Sequence, residues 1–138
     1  ERLAPFKPDF ILSPALGGVI IGHEVARALD IPFIFCERQD GEMRLRRFPC
    51  PVGKKFALVE DVVTTGKSSR ETAQILVDLG AEWAASGSVI DRRPASAEDG
   101  WELHSLWKTS FPVYNPEECP ICKEGLPLVK PGSRPDKK

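Results

Sequence analysis

The sequence contains no apolar run that approaches a membrane span, and it does not open with the basic and then apolar segments of a secretory signal. No membrane is therefore an expected partner, and the cytoplasm is the expected location. Strong net charge is also missing, since 19 Lys and Arg against 20 Asp and Glu leave a formal charge of -1. That balance gives no global attraction to nucleic acid or to anionic lipid, so nucleic acid is not an expected partner either. Histidine is scarce. His23 falls in an expected helix and His104 in an expected strand, and no Ser/His/Asp or Cys/His arrangement supplies a covalent nucleophile. Cysteine is limited to four residues, of which Cys36 reads as a small core residue. Cys119-Pro120-Ile121-Cys122 has zinc-knuckle or redox spacing, but a structural zinc needs four ligands and this pair supplies two. A local turn is the expectation there, with a zinc shared between subunits or a reversible disulfide as alternatives. No initiator methionine precedes Glu1-Arg2-Leu3, and Pro5-Phe6-Lys7-Pro8 reads as a loop between elements, so a preceding N-terminal segment is expected to be lacking.

What is present suits one compact α/β domain: 138 residues, 41% hydrophobic and 28% charged. The expected domain runs over residues 1–125, followed by a Pro-, Gly- and Lys-rich tail over 126–138. Strands are expected over 9–13, 31–36, 55–60, 83–90 and 103–107, with a solvated hairpin arm over 43–48. Helices are expected over 19–29, where Val19, Ile20, Val25, Ala26 and Leu29 are the apolar positions, and over 69–79, where Gly80 supplies the stop. A polar loop is expected over 94–100. The alternation implies a mostly parallel central sheet flanked by helices. In such sheets ligands lie at the carboxyl ends of strands, and residues 14–18, 37–38, 60–68 and 91–93 collect there.

The most informative run is Phe56-Ala57-Leu58-Val59-Glu60-Asp61-Val62-Val63-Thr64-Thr65-Gly66-Lys67-Ser68. It passes from an apolar strand, through two adjacent carboxylates, into a hydroxyl-rich turn that opens a helix. Two carboxylates at a strand end can hold the hydroxyls of a ribose. The N–H groups and hydroxyls of the next turn can hold a phosphate. The plainer alternative is a buried strand followed by a capped helix. Against it, adjacent acids at the end of a core strand are costly unless used. The run is not a Walker A loop, because no glycine lies five residues before Gly66. A second turn, Ser13-Pro14-Ala15-Leu16-Gly17-Gly18, offers close backbone approach at another helix start. Alone it is a common α/β turn.

The order of strand, Glu60-Asp61, Val62-Val63 and Thr64-Thr65-Gly66-Lys67-Ser68 resembles the PRPP-binding motif of the type I phosphoribosyltransferases. The stretch from Asp9 to about Arg134 is most like a bacterial orotate phosphoribosyltransferase, with Val89-Ile90-Asp91-Arg92 at the next strand end and the Cys119/Cys122 and Lys130 to Arg134 segments in the tail. The resemblance implies a Rossmann-like core. It implies Mg2+-dependent transfer of the 5-phosphoribosyl group from PRPP to orotate, giving orotidine 5'-monophosphate and pyrophosphate in UMP biosynthesis. Glu60 and Asp61 would hold the ribose hydroxyls. Val62, Val63, Thr64, Thr65, Gly66, Lys67 and Ser68 would wrap the 5'-phosphate, and Leu16, Gly17 and Gly18 would touch pyrophosphate. A non-proline cis peptide, frequent in that family loop, is expected at Leu16-Gly17. Thr64 and Arg92 would bind orotate, Arg92 because its fork matches a planar carboxylate. Mg2+ would be held mainly through PRPP and water rather than directly by the protein.

Two departures from the family pattern matter. Gly17 stands where many orotate enzymes carry a lysine, and the region 38–54 is short and offers arginines where the family usually offers Lys and His. Arg38, Arg44 and Arg46 are the candidates to neutralise the leaving pyrophosphate, against the plainer view of a basic hairpin facing solvent. A surface arginine after a strand is likewise the plainer view of Arg92. The resemblance also implies a homodimer that shares loops, and a family hood over the base that the lacking N-terminal segment would supply. A purine-base transferase and a non-catalytic PRPP-binding regulator are the competing readings, and Asp91-Arg92 suits an acidic pyrimidine better than a neutral purine.

Overall fold

The computed structural model describes residues 1–94 and 100–126. Most of the expected polar loop and the tail from residue 127 onward lie outside them. After a short 3-10 turn at Ala4–Phe6, the chain runs β1 (Phe10–Pro14), α1 (Gly17–Leu29), β2 (Phe33–Gln39), β3 (Glu42–Arg44), β4 (Lys55–Val63), α2 (Lys67–Asp78), β5 (Glu82–Asp91), β6 (His104–Lys108) and a one-turn α3 (Pro120–Lys123). The strand order is β3-β2-β1-β4-β5-β6. The β2–β3 pair is antiparallel and the other pairs are parallel. This is the expected α/β class. The order reverses between β1 and β4: the chain moves outward one way through α1 to β2, and the other way through α2 to β5. Such a switch point opens a crevice at the carboxyl ends of the two central strands.

Side-chain alternation explains why those strands hold the middle. Phe56 and Leu58 of β4 join Phe10 and Leu12 of β1 in a core closed by Ala73 and Leu76 of α2. Ala57 and Val59 join Ile11 on the opposite face, against Ala26 of α1. A strand apolar on both faces belongs between two helical layers. Phe10, Phe56, Leu12 and Leu58 are almost wholly buried, each stabilising the fold by about 1.5–3 kcal/mol.

Helix α1 packs differently from its apolar spacing. Its buried positions are Gly18, Gly22 and Ala26, whereas Ile20, expected on the core side, is 78% exposed. The small residues recur every four positions, forming a stripe that lets the helix axis approach the sheet. A Cβ on Gly22 would overlap the Ser13 hydroxyl and the Phe33 ring. This close approach seats the N-terminus of α1 directly beside β4.

Strand β2 also runs further than expected. Glu37 and Arg38 lie inside it, paired with Arg44 and Met43 of β3, so they do not stand at an open strand end. Strand β4 likewise continues through its two acids to Val63, because Val62 and Val63 remain paired with Ile90 and Asp91.

Candidate active site

The crevice between β1 and β4 is a polar cleft of about 330 Å³ lined by Pro14, Ala15 and Gly17 on one wall and by residues 60–69 on the other. All of the sequence-identified run from Glu60 to Ser68 is brought together here, and Ser69 adds a fourth hydroxyl to those of Thr64, Thr65 and Ser68. The first wall is formed by the β1–α1 turn. Its cis peptide joins Ala15 to Leu16, one bond earlier than expected, and Leu16 is turned to solvent at 78% exposure. Gly17 and Gly18 meet the acids. A Cβ on Gly17 would lie 2.7 Å from Asp61 Oδ2, and one on Gly18 would lie 3.1 Å from Glu60 Oε1. The glycines are thus needed for close approach of two elements, with backbone against carboxylate.

The two acids differ in environment. Asp61 is half-exposed, and its Oδ1 accepts the Val62 N–H at 2.8 Å. Glu60 is buried, and its Oε2 accepts from the Ser69 hydroxyl at 3.5 Å. Burial, reinforced by hydrogen bonding and repulsion from Asp61, pushes the Glu60 carboxyl up to about 8. Near neutral pH the pair therefore retains a proton, a property of the two carboxyls together.

The hydroxyl-bearing turn follows directly. Thr65 Oγ1 accepts the Lys67 N–H at 3.3 Å, and Gly66 sits at φ 72° as the residue that starts α2. Only glycine adopts that conformation without a Cβ penalty. The N-cap residue Gly66 has no side chain to cap α2 and no acidic residue lies in its first turn, so the positive dipole end of the helix faces the cleft. This wall can bind an anion while the acids bind hydroxyls.

The arginine candidates lie elsewhere. None of Arg38, Arg44 and Arg46 lines the cleft. Arg38 is forked onto Glu71 of α2, with Nη1 to Oε1 at 3.2 Å, and also donates to the Gly41 carbonyl at 2.7 Å. That pairing holds the Glu71 carboxyl below its ordinary range. Arg44 pairs with Glu42 at 2.6 Å, while Arg46 and Arg47 share Glu37 at 3.1 and 2.9 Å. Arg92 is exposed, with its guanidinium 4.8 Å from the Phe111 ring centre, and its N–H donates to the Val63 carbonyl at 2.8 Å. It therefore stands at the edge of the acid-bearing strand without lining the cleft.

A larger hollow of about 570 Å³ lies on the α1 face, among Leu3, Ile21, Val25, Leu29, Val89 and Leu106. It is mostly apolar, with Glu1, Arg2, Ser88 and His104 at its wall, and it offers no paired carboxylates and no helix N-terminus. Burial raises the Cys36 thiol to about 12, consistent with an inert core residue. In the CxxC segment, hydrogen bonds from the Cys122 backbone and thiol lower Cys119, and Cys122 moves up in response. Among the described residues no helix is long and apolar enough to cross a membrane.

A family profile described as a phosphoribosyl transferase domain matches residues 1–102, the part that carries both cleft walls. The orotate phosphoribosyltransferase of Thermotoga maritima is 46% identical over 135 residues, covering 97% of this chain and 72% of that protein. The chain belongs to the phosphoribosyltransferase family. A second orotate phosphoribosyltransferase, from Caldanaerobacter subterraneus, is 42% identical, covering 97% of this chain and 71% of that one. Among solved structures, a Corynebacterium diphtheriae phosphoribosyltransferase aligns with a TM-score of 0.67 at 26% identity, covering 78% of this chain and 68% of that one. The orotate enzyme of Aeropyrum pernix aligns at 0.63 and 22%, covering 75% and 62%, and supports the fold alone. The chain is thus a phosphoribosyltransferase by family, an enzyme of the pentosyltransferase class.

Sequence reasoning placed residues 91–93 at a strand end but missed the ion pair within them. Asp91, at the end of β5, is buried against Arg93, whose Nη2 and Nε donate to it at 3.0 and 3.1 Å. Burial pulls the Asp91 carboxyl upward, but the Arg93 side-chain and backbone hydrogen bonds outweigh it and hold it below its ordinary value. The visible signal was only an acid followed by two arginines, which does not say which arginine turns inward.

Proposed function

We propose that this phosphoribosyltransferase acts on orotate, transferring the 5-phosphoribosyl group from PRPP to give orotidine 5'-monophosphate and pyrophosphate in UMP biosynthesis. The observation that carries the reading is the switch-point cleft, where a buried and a half-exposed carboxyl run into an uncapped, hydroxyl-rich helix start. The orotate assignment is supported by relatives of 42–46% identity that bear that name.

The 5'-phosphate would sit on residues 64–68, satisfied by N–H groups and hydroxyls at the α2 terminus. Asp61 and Glu60 would accept from the ribose hydroxyls, which fixes C1' relative to the β1–α1 turn. Pyrophosphate would lie against Ala15–Gly18, where the absence of a Cβ at residue 17 leaves room beside Asp61. The reaction breaks the bond from C1' to the pyrophosphate oxygen and forms one from C1' to N1 of the base, whose N1 proton leaves to solvent or to the departing pyrophosphate. Positive character that develops on the ribose is stabilised by the single negative charge that the acid pair carries near neutral pH. The cleft's oxygen-bearing groups fit Mg2+, a hard cation, which Glu60 and Asp61 would hold through the donor's hydroxyls and water. When bound, that cation neutralises charge on the departing pyrophosphate.

Arg92 would meet the orotate carboxylate from the β5 side. Arg92→Ala is expected to raise KM for orotate on the order of tenfold with KM for PRPP unchanged, the value of a lost charge-assisted contact. Pyrophosphate release measured with orotate, adenine, hypoxanthine and uracil tests the whole reading. Turnover confined to orotate supports it; turnover on a purine assigns the base differently. PRPP binding without turnover on any base overturns the catalytic reading for this chain.

A further inference from the structure

We propose that Trp101 is a positioning residue for the phosphate turn, clamping Gly66 from the β5–β6 side. The inference rests on the reading of residues 64–68 as the 5'-phosphate site.

Gly66 presents a physical problem. Its φ of 72° suits the turn, but a glycine supplies no side chain to restrain the backbone it liberates. Its N–H neighbours at the start of α2 bind an anion well only if they already point the right way. The indole of Trp101 occupies the space that a Cβ on Gly66 would take, with Cε3 at 3.1 Å and Cη2 at 3.4 Å from that position. The same ring lies 4.9 Å from the guanidinium carbon of Arg70, one turn into α2, and the Arg70 N–H donates to the Gly66 carbonyl at 2.9 Å. One side chain therefore touches both ends of the first helical turn.

The clamp is itself anchored. Trp101 Nε1–H donates to Ser86 Oγ at 2.9 Å, and Trp83 Nε1–H donates to the same oxygen at 3.0 Å. The Trp101 carbonyl accepts from Arg93 Nη1 at 3.0 Å, and Arg93 is locked onto buried Asp91. Its guanidinium carbon also lies 5.0 Å from the Trp101 ring centre. An aromatic row, Phe10–Phe56–Trp83–Trp101, with centroid spacings of 5.7, 6.4 and 6.1 Å, ties the indole back to the central core. Rigid core on one side and an intrinsically free glycine on the other make Trp101 the part that transmits order to the turn. Its effect should fall on phosphate recognition and leave base recognition alone.

Ribose 5-phosphate and PRPP are the probes. Trp101→Ala is expected to weaken ribose 5-phosphate binding in calorimetry, and to raise KM for PRPP, by roughly tenfold, the scale of one lost ordering contact. KM for orotate should stay within about twofold, and Trp101→Phe, which restores a flat ring without the indole N–H, should recover most of the affinity. Circular dichroism and cooperative melting establish that each variant is folded. Trp101→Leu, which retains apolar bulk, takes the place of the alanine variant if that one does not fold. The proposal is overturned if the folded variant binds ribose 5-phosphate like the parent, if both KM values rise equally, or if Trp101→Phe recovers nothing. Failure of the unaltered protein to bind ribose 5-phosphate overturns the phosphate-site reading itself, a result distinct from any of these.

Discussion

Replacing Glu60 by glutamine should stabilise the protein at alkaline pH while leaving it unchanged in mild acid. Glu60 is buried at the end of β4, and its carboxyl titrates at about 8 against an ordinary 4.5. Below pH 4.5 folded and unfolded chains both carry the proton. Between 4.5 and 8 the folded chain holds a proton that the unfolded chain has released, so stability falls as pH rises and levels off above 8. The interval of 3.5 units corresponds to about 5 kcal/mol at 1.36 kcal/mol per unit, and water entering the open cleft reduces this to about 3. Glutamine copies the neutral carboxyl in shape and keeps a donor toward Asp61, so E60Q escapes the loss. Thermal melts of both proteins from pH 5 to pH 9.5 are the assay. Near pH 5 the two midpoints should nearly coincide, and above pH 8.5 E60Q should melt roughly 10 °C higher, given a few degrees per kcal/mol for a domain of this size. Parallel melting curves, with the same gap at every pH, would show that Glu60 titrates like an exposed acid and would refute the argument.

Gly17→Ala places a methyl 2.7 Å from Asp61 Oδ2; the strain should cost about 1–3 kcal/mol in urea unfolding and, by displacing the carboxylate, weaken PRPP binding. Retained stability with unchanged PRPP affinity would mean the β1–α1 turn simply shifts aside. Asp91→Asn removes the charge that faces Arg93 in a buried pair, with an expected loss of about 3–5 kcal/mol in chemical denaturation at neutral pH. Because the Asp91 carboxyl lies below its ordinary value, that difference should be present above the unfolded-state pKa and shrink as the pH falls through the folded one.

What the sequence made legible divides along a physical line. The acid pair and the phosphate turn are consecutive in the chain, so one strand period, one turn and one helix start were enough to place residues 60–68 around a common point. The β1–α1 turn could be joined to them because parallel topology puts strand ends together. Contacts that close over long separations left little trace. Glu37 meets Arg46 and Arg47 only through the folding of the hairpin, and Arg38 meets Glu71 only because the β2–β3 hairpin is brought against α2. The face of α1 was read from its large residues, whereas Gly18, Gly22 and Ala26 decide it by being small. Trp101 follows no motif and lies 35 positions beyond Gly66, so its place against the phosphate turn emerges only from the packed structure.

That division bears on how the site can change. The half that would hold ribose and phosphate is built from two strand–turn–helix units whose geometry is fixed by central, doubly covered strands. Substitution there strikes a buried acid, a left-handed glycine or a glycine in contact with a carboxylate, and each has a steep local cost. The half expected to read the base begins at Arg92, an exposed residue resting on Phe111 beside strand β6 at the sheet edge. Its neighbour Arg93 turns inward and pairs with buried Asp91, whereas the Arg92 side chain stays exposed against Phe111. The chain alternates direction at this strand end, so Arg93 ties Asp91 to Trp101 while the Arg92 side chain faces outward against Phe111. Under the proposed roles, a change of base preference would proceed at Arg92 without disturbing the donor half, whereas a change at Arg93 would reach the turn at Gly66 through Trp101.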